Sequence, residues 1–274
     1  MYKIISELYK PAKRHIKKLL INKEYRDLYY LETRLHKAMR FKETEIRIHG
    51  WKLSIPDPAS FISTFHEIFV ERIYDFQFNN ESPSIIDLGA NIGLSILFFK
   101  TIYPKAKIVA FEADPIIFKH LVKNVHGNGF TDVELINAAA WDHETELDFY
   151  SEGGDGGHIA TGLLNTKSVK VPAIDIGKFL CNRTFDFLKI DIEGAEEQVV
   201  PACKGLLSRI SYIFIEYHSY KNKRQCLDML IAMLASEGFR INIQNIGQIS
   251  SPFIKRSGAN CFDMQLNIFG SKDL

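Results

Sequence analysis

The sequence lacks the features that mark several specialised classes of protein. Its 274 residues include only four cysteines, which are widely spaced and form no CxxC pair. We therefore expect buried, reduced thiols in a cytoplasmic protein rather than a structural zinc site. No run approaches the ~20 apolar residues that a membrane-spanning helix needs, and basic residues interrupt the N-terminal segment where a signal peptide would have its apolar core. No internal repeat is evident.

Charge of a single sign is also scarce, since the whole chain has a net charge of +1. The distribution is nevertheless uneven. Residues 1–23 hold seven Lys or Arg against one acid, whereas the remainder holds 27 Lys or Arg against 32 acids. A body with net negative charge is a poor general binder of nucleic acid, so we expect no nucleic-acid partner.

The basic N-terminal segment has apolar residues at helical spacing over 3–22, with Pro11 between two helical pieces. Such a segment either packs on the domain or on a second subunit, or lies on an anionic membrane surface. We favour packing, which allows for a homo-oligomer. Peripheral contact with the inner membrane surface through residues 1–23 is the alternative. A further helix is predicted over 24–39.

The most informative stretch runs from Ser84 to Pro115. It reads as a buried strand, a tight glycine turn, an apolar helix over Leu94–Ile102 and a second apolar strand, Ile108–Phe111, which is followed by Glu112. This order is typical of a βαβ unit that binds an adenosine-containing cofactor across its strand ends. Glycine lets the backbone approach such a ligand, and the carboxylate can bind both ribose hydroxyls.

The spacing around the turn discriminates between cofactors. A dinucleotide site wants G-x-G-x-x-G and room for a pyrophosphate, but the sequence has D-x-G-x-N-x-G at Asp87, Gly89, Asn91 and Gly93. An acid in the turn would repel a pyrophosphate, but it suits the ammonium group and sulfonium centre of S-adenosylmethionine. A turn that merely closes a strand–helix corner would explain the two glycines but not Asp87 together with Glu112. An NAD-linked oxidoreductase is therefore the disfavoured alternative.

Polar candidates also precede this unit. A small hairpin is predicted over 46–55, because apolar residues alternate there, and an aromatic-rich helix is predicted over Phe61–Tyr74. Core packing explains most of the aromatic rings in this helix. Glu67 and Tyr74 are the polar residues that we expect to reach the cofactor from this side.

After the unit, a third strand is predicted over 133–136. Asn137 and Ala138 follow it, and an amide next to small residues fits the edge of an adenine ring. Further along the chain, the segment over 152–162 is rich in glycine and too flexible by composition to belong to the core. It is either a simple connector or a lid that binds the acceptor.

Two later strands lead to titratable residues. The segment FDFLKIDI is a nearly continuous apolar strand, typical of a parallel sheet that is buried on both faces, and Asp191 and Glu193 lie at its end. A short strand over 212–215 leads to Glu216 and His218. Because the carboxyl ends of parallel strands meet at one edge of a sheet, these four side chains are expected beside the cofactor.

Five blocks of the sequence, PDPASF, IIDLGANIGLS, FEADP, FLKIDIEGAE and IEYHS, resemble the FkbM-type methyltransferase family in order and spacing, over Thr44 to Gly270. The resemblance implies an α/β, Rossmann-like class I methyltransferase fold. Its mostly parallel seven-stranded sheet would end in a C-terminal antiparallel hairpin, formed here by 239–243 and 262–269. We expect this domain over 44–274, after a basic helical extension over 1–43. The implied activity is S-adenosylmethionine-dependent O-methyl transfer to a hydroxyl of a sugar, a glycan or another small molecule.

The resemblance also implies the cofactor contacts. Glu112 would hold the ribose with Asp114 beside it, and Asn137 and Ala138 would flank the adenine. The family commonly has proline where this chain has Ala113, a departure that affects the turn more than the ribose contact. The methionine part of the cofactor would be lined by residues of the glycine turn and the helix start, namely Asp87, Gly89, Ala90, Asn91, Gly93 and Ser95.

Methyl transfer to oxygen needs an aligned acceptor, which can contribute roughly 7–11 kcal/mol, and usually a base, which contributes ~10²–10⁴-fold in rate. The candidates are Asp191, Glu193, Glu216 and His218. His218 has a pKa suited to a base near neutral pH, so His218 or Asp191 is predicted to take the proton. The acids could instead orient the acceptor or bind a divalent cation such as Mg²⁺.

Plainer interpretations of these residues stay open as well. Glu193 could be a first-turn acid that the helix dipole favours, and His218 could be a hydrogen-bonded loop residue. The chain as a whole could be a non-catalytic scaffold that uses its basic N-terminus for a membrane or a partner.

Overall fold

The computed structural model describes residues 22–150, 158–159, 168–221, 223–246, 253–254 and 262–272. Residues 1–21 of the predicted basic segment lie outside this set, as does the predicted loop over 152–162 apart from His158–Ile159. The chain forms two compact units, Met1–Asp75 and Phe76–Leu274. The boundary predicted after residue 43 stays a prediction.

The first unit contains two helices and a hairpin. Asp57 and Pro58 start the second helix, because the aspartate side chain caps it and proline suits its first turn. The helical segment ends at Val70 rather than at the predicted Tyr74, since Arg72 has a left-handed φ of 56°. The first helix likewise ends before the predicted residue 39. The elements are α1 (Lys23–Leu35), the antiparallel strands β1 (Thr44–Ile48) and β2 (Trp51–Ile55), which confirm the predicted hairpin, and α2 (Pro58–Phe65), which continues as a π-helical turn over His66–Val70.

Aromatic residues form the core of this unit. Phe61, Phe65, Phe69 and Tyr74 are all buried, and the rings of Phe65 and Phe69 stack with centroids 4.7 Å apart. The prediction that most of these rings serve packing is therefore confirmed for the three phenylalanines.

The second unit alternates strands with helices. Apolar residues that are buried on every side fill its first strand and the helix after it, as the sequence predicts. The elements are β3 (Ser84–Leu88), α3 (Leu94–Ile102), β4 (Lys107–Phe111), α4 (Pro115–Val125), β5 (Glu134–Ile136), β6 (Ala139–Trp141), β7 (Thr145–Tyr150), β8 (His158–Ile159), β9 (Val169–Asp175), α5 (Ile176–Cys181), β10 (Phe187–Ile190), α6 (Glu196–Ala202), β11 (Tyr212–Tyr220), α7 (Leu227–Ser236), β12 (Arg240–Asn245) and β13 (Phe262–Ser271), with short 3₁₀ turns at His126–Asn128 and Leu207–Arg209.

The main sheet has seven strands in the order β12-β13-β11-β10-β3-β4-β5. Neighbouring strands from β11 to β5 are parallel, and β13 runs antiparallel to both β11 and β12. The predicted mostly parallel, Rossmann-like sheet with a C-terminal antiparallel hairpin is confirmed. The order reverses between β3 and β10, which makes the carboxyl ends of these two strands the place where such sheets bind ligands.

A second sheet was not predicted. Its four strands have the order β6-β9-β7-β8. Strand β6 begins immediately after Ala138, at residues for which no strand was predicted. The sheet encloses a small apolar cluster of its own around Phe149 and Val171. Short apolar runs such as Ala139–Trp141 carry too little periodicity to be assigned from sequence.

Strand β11 is longer than predicted and continues to Tyr220 rather than ending at Ile215. It pairs with β13 along its whole length, from Tyr212 opposite Ser271 to Tyr220 opposite Phe262. Glu216 and His218 therefore lie within a paired strand and not in a loop after it. Within the described residues, no helix has the length and apolarity that crossing a membrane would require.

Candidate active site

A tight glycine corner joins β3 to α3. The backbone amides of Gly89 and Ala90 both donate to the carbonyl oxygen of Phe111, at 3.1 and 2.8 Å. Gly89 has a φ of 89°, and a β-carbon there would lie 1.7 Å from the carbonyl oxygen of Asp191. Gly93 has a φ of 92° and packs against α4. Both glycines are thus required by backbone conformation and by close approach.

Asp87 lies behind this corner and is completely buried. Its carboxylate accepts a hydrogen bond from the Ser95 hydroxyl and lies 3.0 Å from the ammonium of Lys189. These contacts engage the predicted cofactor ligands Asp87 and Ser95 within the protein. Their contact with a cofactor stays a prediction.

Lys189 is the centre of this arrangement, although its sequence context marks it only as part of a nearly continuous apolar strand. Its ammonium donates to the carbonyl oxygen of Gly89 at 2.8 Å and lies 3.3 Å from a carboxylate oxygen of Asp191. Burial disfavours the ammonium, but the charges of Asp87 and Asp191 raise the pKa of Lys189 above its ordinary value. The lysine therefore stays charged and ties the ends of β3 and β10 together.

Glu112 follows β4 and faces the same corner. One carboxylate oxygen accepts from the backbone amide of Asn91 and the other from that of Asp114, both at 2.8 Å. Burial raises the pKa of Glu112 to about 7, against the opposing effect of these two hydrogen bonds. A carboxylate can accept about four hydrogen bonds, so each oxygen keeps acceptor capacity for a ligand.

Three other predicted cofactor contacts surround Glu112. Asp114 caps α4, since its carboxylate accepts from the amides of the first helical turn. The side-chain amide of Asn137 donates to the carbonyl oxygens of Glu112 and Ala113, at 2.8 and 3.3 Å, and Ala138 is buried. Asn137 therefore fixes the turn after β4, and any contact with adenine is still to be tested.

Glu67 and Tyr74 belong to the first unit. The prediction that they reach the cofactor stays a prediction.

The four predicted catalytic residues converge at the carboxyl end of the sheet. The backbone amide of Asp191 donates to the carbonyl oxygen of Leu88 at 3.0 Å, which fixes Asp191 beside the corner. Nε2 of His218 lies 3.5 Å from a carboxylate oxygen of Glu193 and 3.5 Å from one of Glu216. One ligand atom each of Asp191, Glu193 and His218 lies within 4.8 Å of the other two. We call Asp191, Glu193, Glu216 and His218 the acidic cluster.

The acidic cluster changes the expected protonation of His218. Burial by itself would lower the pKa of the imidazole, but hydrogen bonds to Glu196 and Glu216 raise it well above the ordinary value. The raised pKa favours the imidazolium form of His218, which is contrary to the expectation of a near-neutral pKa suited to a base. His218 is also a buried strand residue, so the alternative of a loop histidine is wrong.

The pKa values of the three carboxylates in the acidic cluster are not all shifted in the same direction. Burial and the neighbouring Glu216 raise the pKa of Asp191 to about 7, and burial likewise raises the pKa of Glu193. Burial also acts on Glu216, but its hydrogen bond to His218 lowers the pKa of Glu216 overall. Glu193 has a left-handed φ of 53° and precedes α6, which begins at Glu196, so it is not a first-turn acid.

Two residues that contact the acidic cluster are not among those predicted from the sequence. Glu196 is buried and holds Nδ1 of His218 at 3.2 Å. Gln265 on β13 lies opposite His218 in the register, donates to Glu216 at 2.5 Å and lies 3.3 Å from Nε2 of His218. The third acid of the segment DIEGAE is a signal for Glu196. Gln265 has no signal in the sequence, because only strand pairing brings it to the site.

Comparison with known proteins finds relatives that are named methyltransferases. The curated relatives include Methyltransferase 1 of Beauveria bassiana, 28% identical over 158 residues that cover 49% of this chain and 64% of that protein. The 2-O-methyltransferase NoeI of Sinorhizobium fredii is 24% identical over 157 residues, which cover 49% and 63%. Methyltransferase sdnD of Sordaria araneosa is 45% identical over 67 residues, 24% and 25%. The chain thus spans less than two thirds of the length of each of these relatives.

Among solved structures, that of Methyltransferase FkbM from Methylobacillus flagellatus aligns with a TM-score of 0.47 and 14% identity, covering 77% of this chain and 53% of the other. The family described as Methyltransferase FkbM domain matches residues 87–241, which is more than half of the chain and includes both the glycine corner and the acidic cluster. The chain therefore belongs to the FkbM methyltransferase family.

Proposed function

We propose that the protein is an S-adenosylmethionine-dependent O-methyltransferase that acts on a hydroxyl group of a sugar, a glycan or another small molecule. The observation that carries the proposal is the direct contact between the two halves of the site. The acidic cluster begins at Asp191, whose carbonyl oxygen touches Gly89 of the glycine corner. A cofactor in the corner and an acceptor at the cluster would meet there.

The residues of the corner fit this cofactor. Glu112 keeps acceptor capacity on both carboxylate oxygens, as two vicinal ribose hydroxyls require. Gly89 lets the backbone at Asp191 approach the corner closely, and Asn91 has a left-handed φ of 48° and donates its backbone amide to Glu112. A pyrophosphate is disfavoured, because the corner has the buried carboxylate of Asp87 and lacks the third-glycine spacing of a dinucleotide fold.

The bound cofactor would supply an activated methyl group, so the chain's own residues have to bind, orient and deprotonate the acceptor. Asp191 is the proton acceptor that we assign, because its pKa of about 7 suits a base near neutral pH. Asp191 would take the proton of the acceptor hydroxyl as its oxygen binds the methyl group, and the sulfonium, having lost its bond to that methyl group, would leave as a neutral thioether. The imidazolium of His218 holds Glu193 and Glu216 in place.

Transfer to oxygen, rather than to nitrogen or carbon, is supported by the acidic surroundings and by the named relative that is a 2-O-methyltransferase. Carboxylates pair well with hydroxyl donors, and several of them in one pocket favour a neutral acceptor with many hydroxyl groups over an anionic one. This argument favours a polyhydroxylated acceptor.

The test is transfer of a tritiated methyl group from S-adenosylmethionine to a panel of monosaccharides, oligosaccharides and simple polyols, with mass spectrometry to locate the methyl group. Asp191→Asn should lower the rate at least 100-fold while the affinity for S-adenosylmethionine changes less than threefold. The control is Glu144→Gln, which changes an exposed acid that is distant from Asp191 in the sequence. This variant should keep the full rate. Full transfer by Asp191→Asn, or methylation at nitrogen alone, would overturn the proposal.

A further inference from the structure

The acidic cluster has the geometry of a metal site. Asp191, Glu193 and His218 each offer a ligand atom, and the three atoms lie within 4.8 Å of one another. Bonds of ~2.0–2.2 Å from a cation to nitrogen and oxygen ligands hold two ligand atoms no more than about 4.4 Å apart. The three side chains would therefore need to close by only a few tenths of an ångström.

The histidine of this trio is oriented as metal-binding histidines are. Its Nδ1 is held at 3.2 Å by Glu196, and its Nε2 points to the carboxylates of Glu193 and Glu216. Glu196 is itself fixed, since it is buried and accepts from the backbone amide of Gly194 at 3.1 Å. A carboxylate that binds the far nitrogen of a histidine sets the orientation and raises the ligand strength of the near nitrogen.

Negative charge exceeds positive charge in this part of the sheet edge. In the described residues, the cations that contact the cluster and the corner behind it are Lys189 and His218. The carboxylates that share these two cations are Asp87, Asp191, Glu193, Glu196 and Glu216. Buried charges are paired or bound to a metal, and a divalent cation that replaces the Nε2 proton of His218 would reduce this excess.

A separate observation points to the same place. Asn267 lies opposite Glu216 in the antiparallel register of β11 and β13, so the two side chains stand on the same face of the sheet. Asn267 is only 6% exposed, and its side-chain oxygen receives no hydrogen bond from any residue in the described ranges. A buried acceptor without a donor needs an explanation, and binding to an ion or a water is one.

We propose that Asp191, Glu193 and His218 bind one divalent transition-metal cation, which replaces the Nε2 proton of His218. The imidazole nitrogen favours a transition metal over Mg²⁺ and Ca²⁺, which prefer oxygen ligands alone, and the two carboxylates suit Mn²⁺, which is therefore the probe. The cation would bind the acceptor hydroxyl and lower its pKa, so that a carboxylate weakened as a base by metal coordination still accepts the proton. This catalytic part rests on the proposed function, but metal binding can be measured without cofactor or acceptor.

The test is a titration of the full, EDTA-treated and dialysed chain with MnCl₂, followed by the loss of the electron paramagnetic resonance signal of free Mn²⁺. We expect one Mn²⁺ per chain, bound at least tenfold more tightly than Mg²⁺ in a competition titration. His218→Ala and Asp191→Asn should each weaken Mn²⁺ binding at least tenfold. Glu197→Gln is the matched control, because this acid lies next to Glu196 but faces Lys223, and it should bind as the wild type does.

Circular dichroism and a thermal melt of each variant establish that it is folded. No Mn²⁺ binding by the folded wild type up to millimolar concentration would overturn the inference, and so would equal binding by folded His218→Ala. Because S-adenosylmethionine binding is titrated separately in the absence of metal, failure of the metal site and failure of the cofactor site give different results.

Discussion

The carbonyl oxygen of Asp191 lies against the α-carbon of Gly89, so closely that a β-carbon at Gly89 would come within 1.7 Å of it. Asp191 follows β10, and Gly89 begins the turn after the neighbouring parallel strand, β3. This contact joins the proposed cofactor corner to the acidic cluster, and it depends on the absence of a single side chain.

Gly89→Ala should therefore be severe. The left-handed φ of 89° costs alanine roughly 1–2 kcal/mol, and overpacking typically costs a further ~1–3 kcal/mol. We expect a loss of about 2–5 kcal/mol in the free energy of unfolding, measured by urea denaturation. Gly129→Ala is the matched control, because Gly129 has a φ of 93° but no neighbour within 4 Å of an added β-carbon. Equal losses for the two variants would show that the contact with Asp191 is not what constrains Gly89.

Lys189→Met should destabilise the protein through its partner. Removal of the ammonium leaves Asp87 fully buried without its ion pair, and breaking a buried pair on one side typically costs ~3–5 kcal/mol. Urea denaturation measures the loss. The double variant Lys189→Met/Asp87→Asn should regain at least half of it, since the completely buried residue 87 then carries no uncompensated charge.

The control for this prediction is Lys105→Met. Lys105 pairs with Glu81, but both side chains are largely exposed, so the loss should stay below ~1 kcal/mol. A double variant as unstable as Lys189→Met alone would mean that the lysine acts through packing and not through charge.

Binding of S-adenosylmethionine should depend on pH through Glu112. Burial raises the pKa of this carboxyl to about 7, and the protonated form is a poorer acceptor for ribose hydroxyls. The ionised fraction falls as the pH drops through 7, so affinity should fall about tenfold between pH 8 and pH 6. Isothermal titration at several pH values measures this. Glu112→Gln should bind more weakly at every pH and lose this part of the pH dependence, whereas the ligand's own titration is common to both proteins.

The basic segment leads to a prediction about binding to anionic membranes. If residues 1–23 lie on an anionic membrane, the full chain should co-sediment with liposomes rich in phosphatidylserine, and a chain lacking these residues should not. Neutral liposomes are the control. Identical sedimentation of both chains would favour packing of the segment on the domain or on a second subunit. Size-exclusion chromatography with light scattering would then distinguish these two arrangements by the mass of the particle.

Local pattern was sufficient for the parts of the fold that are continuous in sequence. The turn from Asp87 to Gly93, the apolar helix after it and Glu112 after β4 all lie where spacing and composition predict them. Each depends on neighbours a few residues away, such as proline and aspartate at the start of a helix or glycine at a left-handed position.

Strand pairing carried the information that the sequence did not. Lys189 looks like an interruption of an apolar strand until the register sets it beside Asp87. Gln265 joins the cluster only because β13 pairs with β11 after a long connection. The pKa of His218 follows from the same cause, since the ordinary value of an imidazole gives no notice of the acids that converge on it.

The most direct test of the account is isothermal titration of the purified chain with S-adenosylmethionine, with NADH as the control ligand. The account predicts micromolar binding of S-adenosylmethionine at one site per chain, no binding of NADH, and at least tenfold weaker binding of S-adenosylmethionine by Glu112→Ala. Binding of neither ligand by the folded chain, or binding of NADH alone, would contradict it.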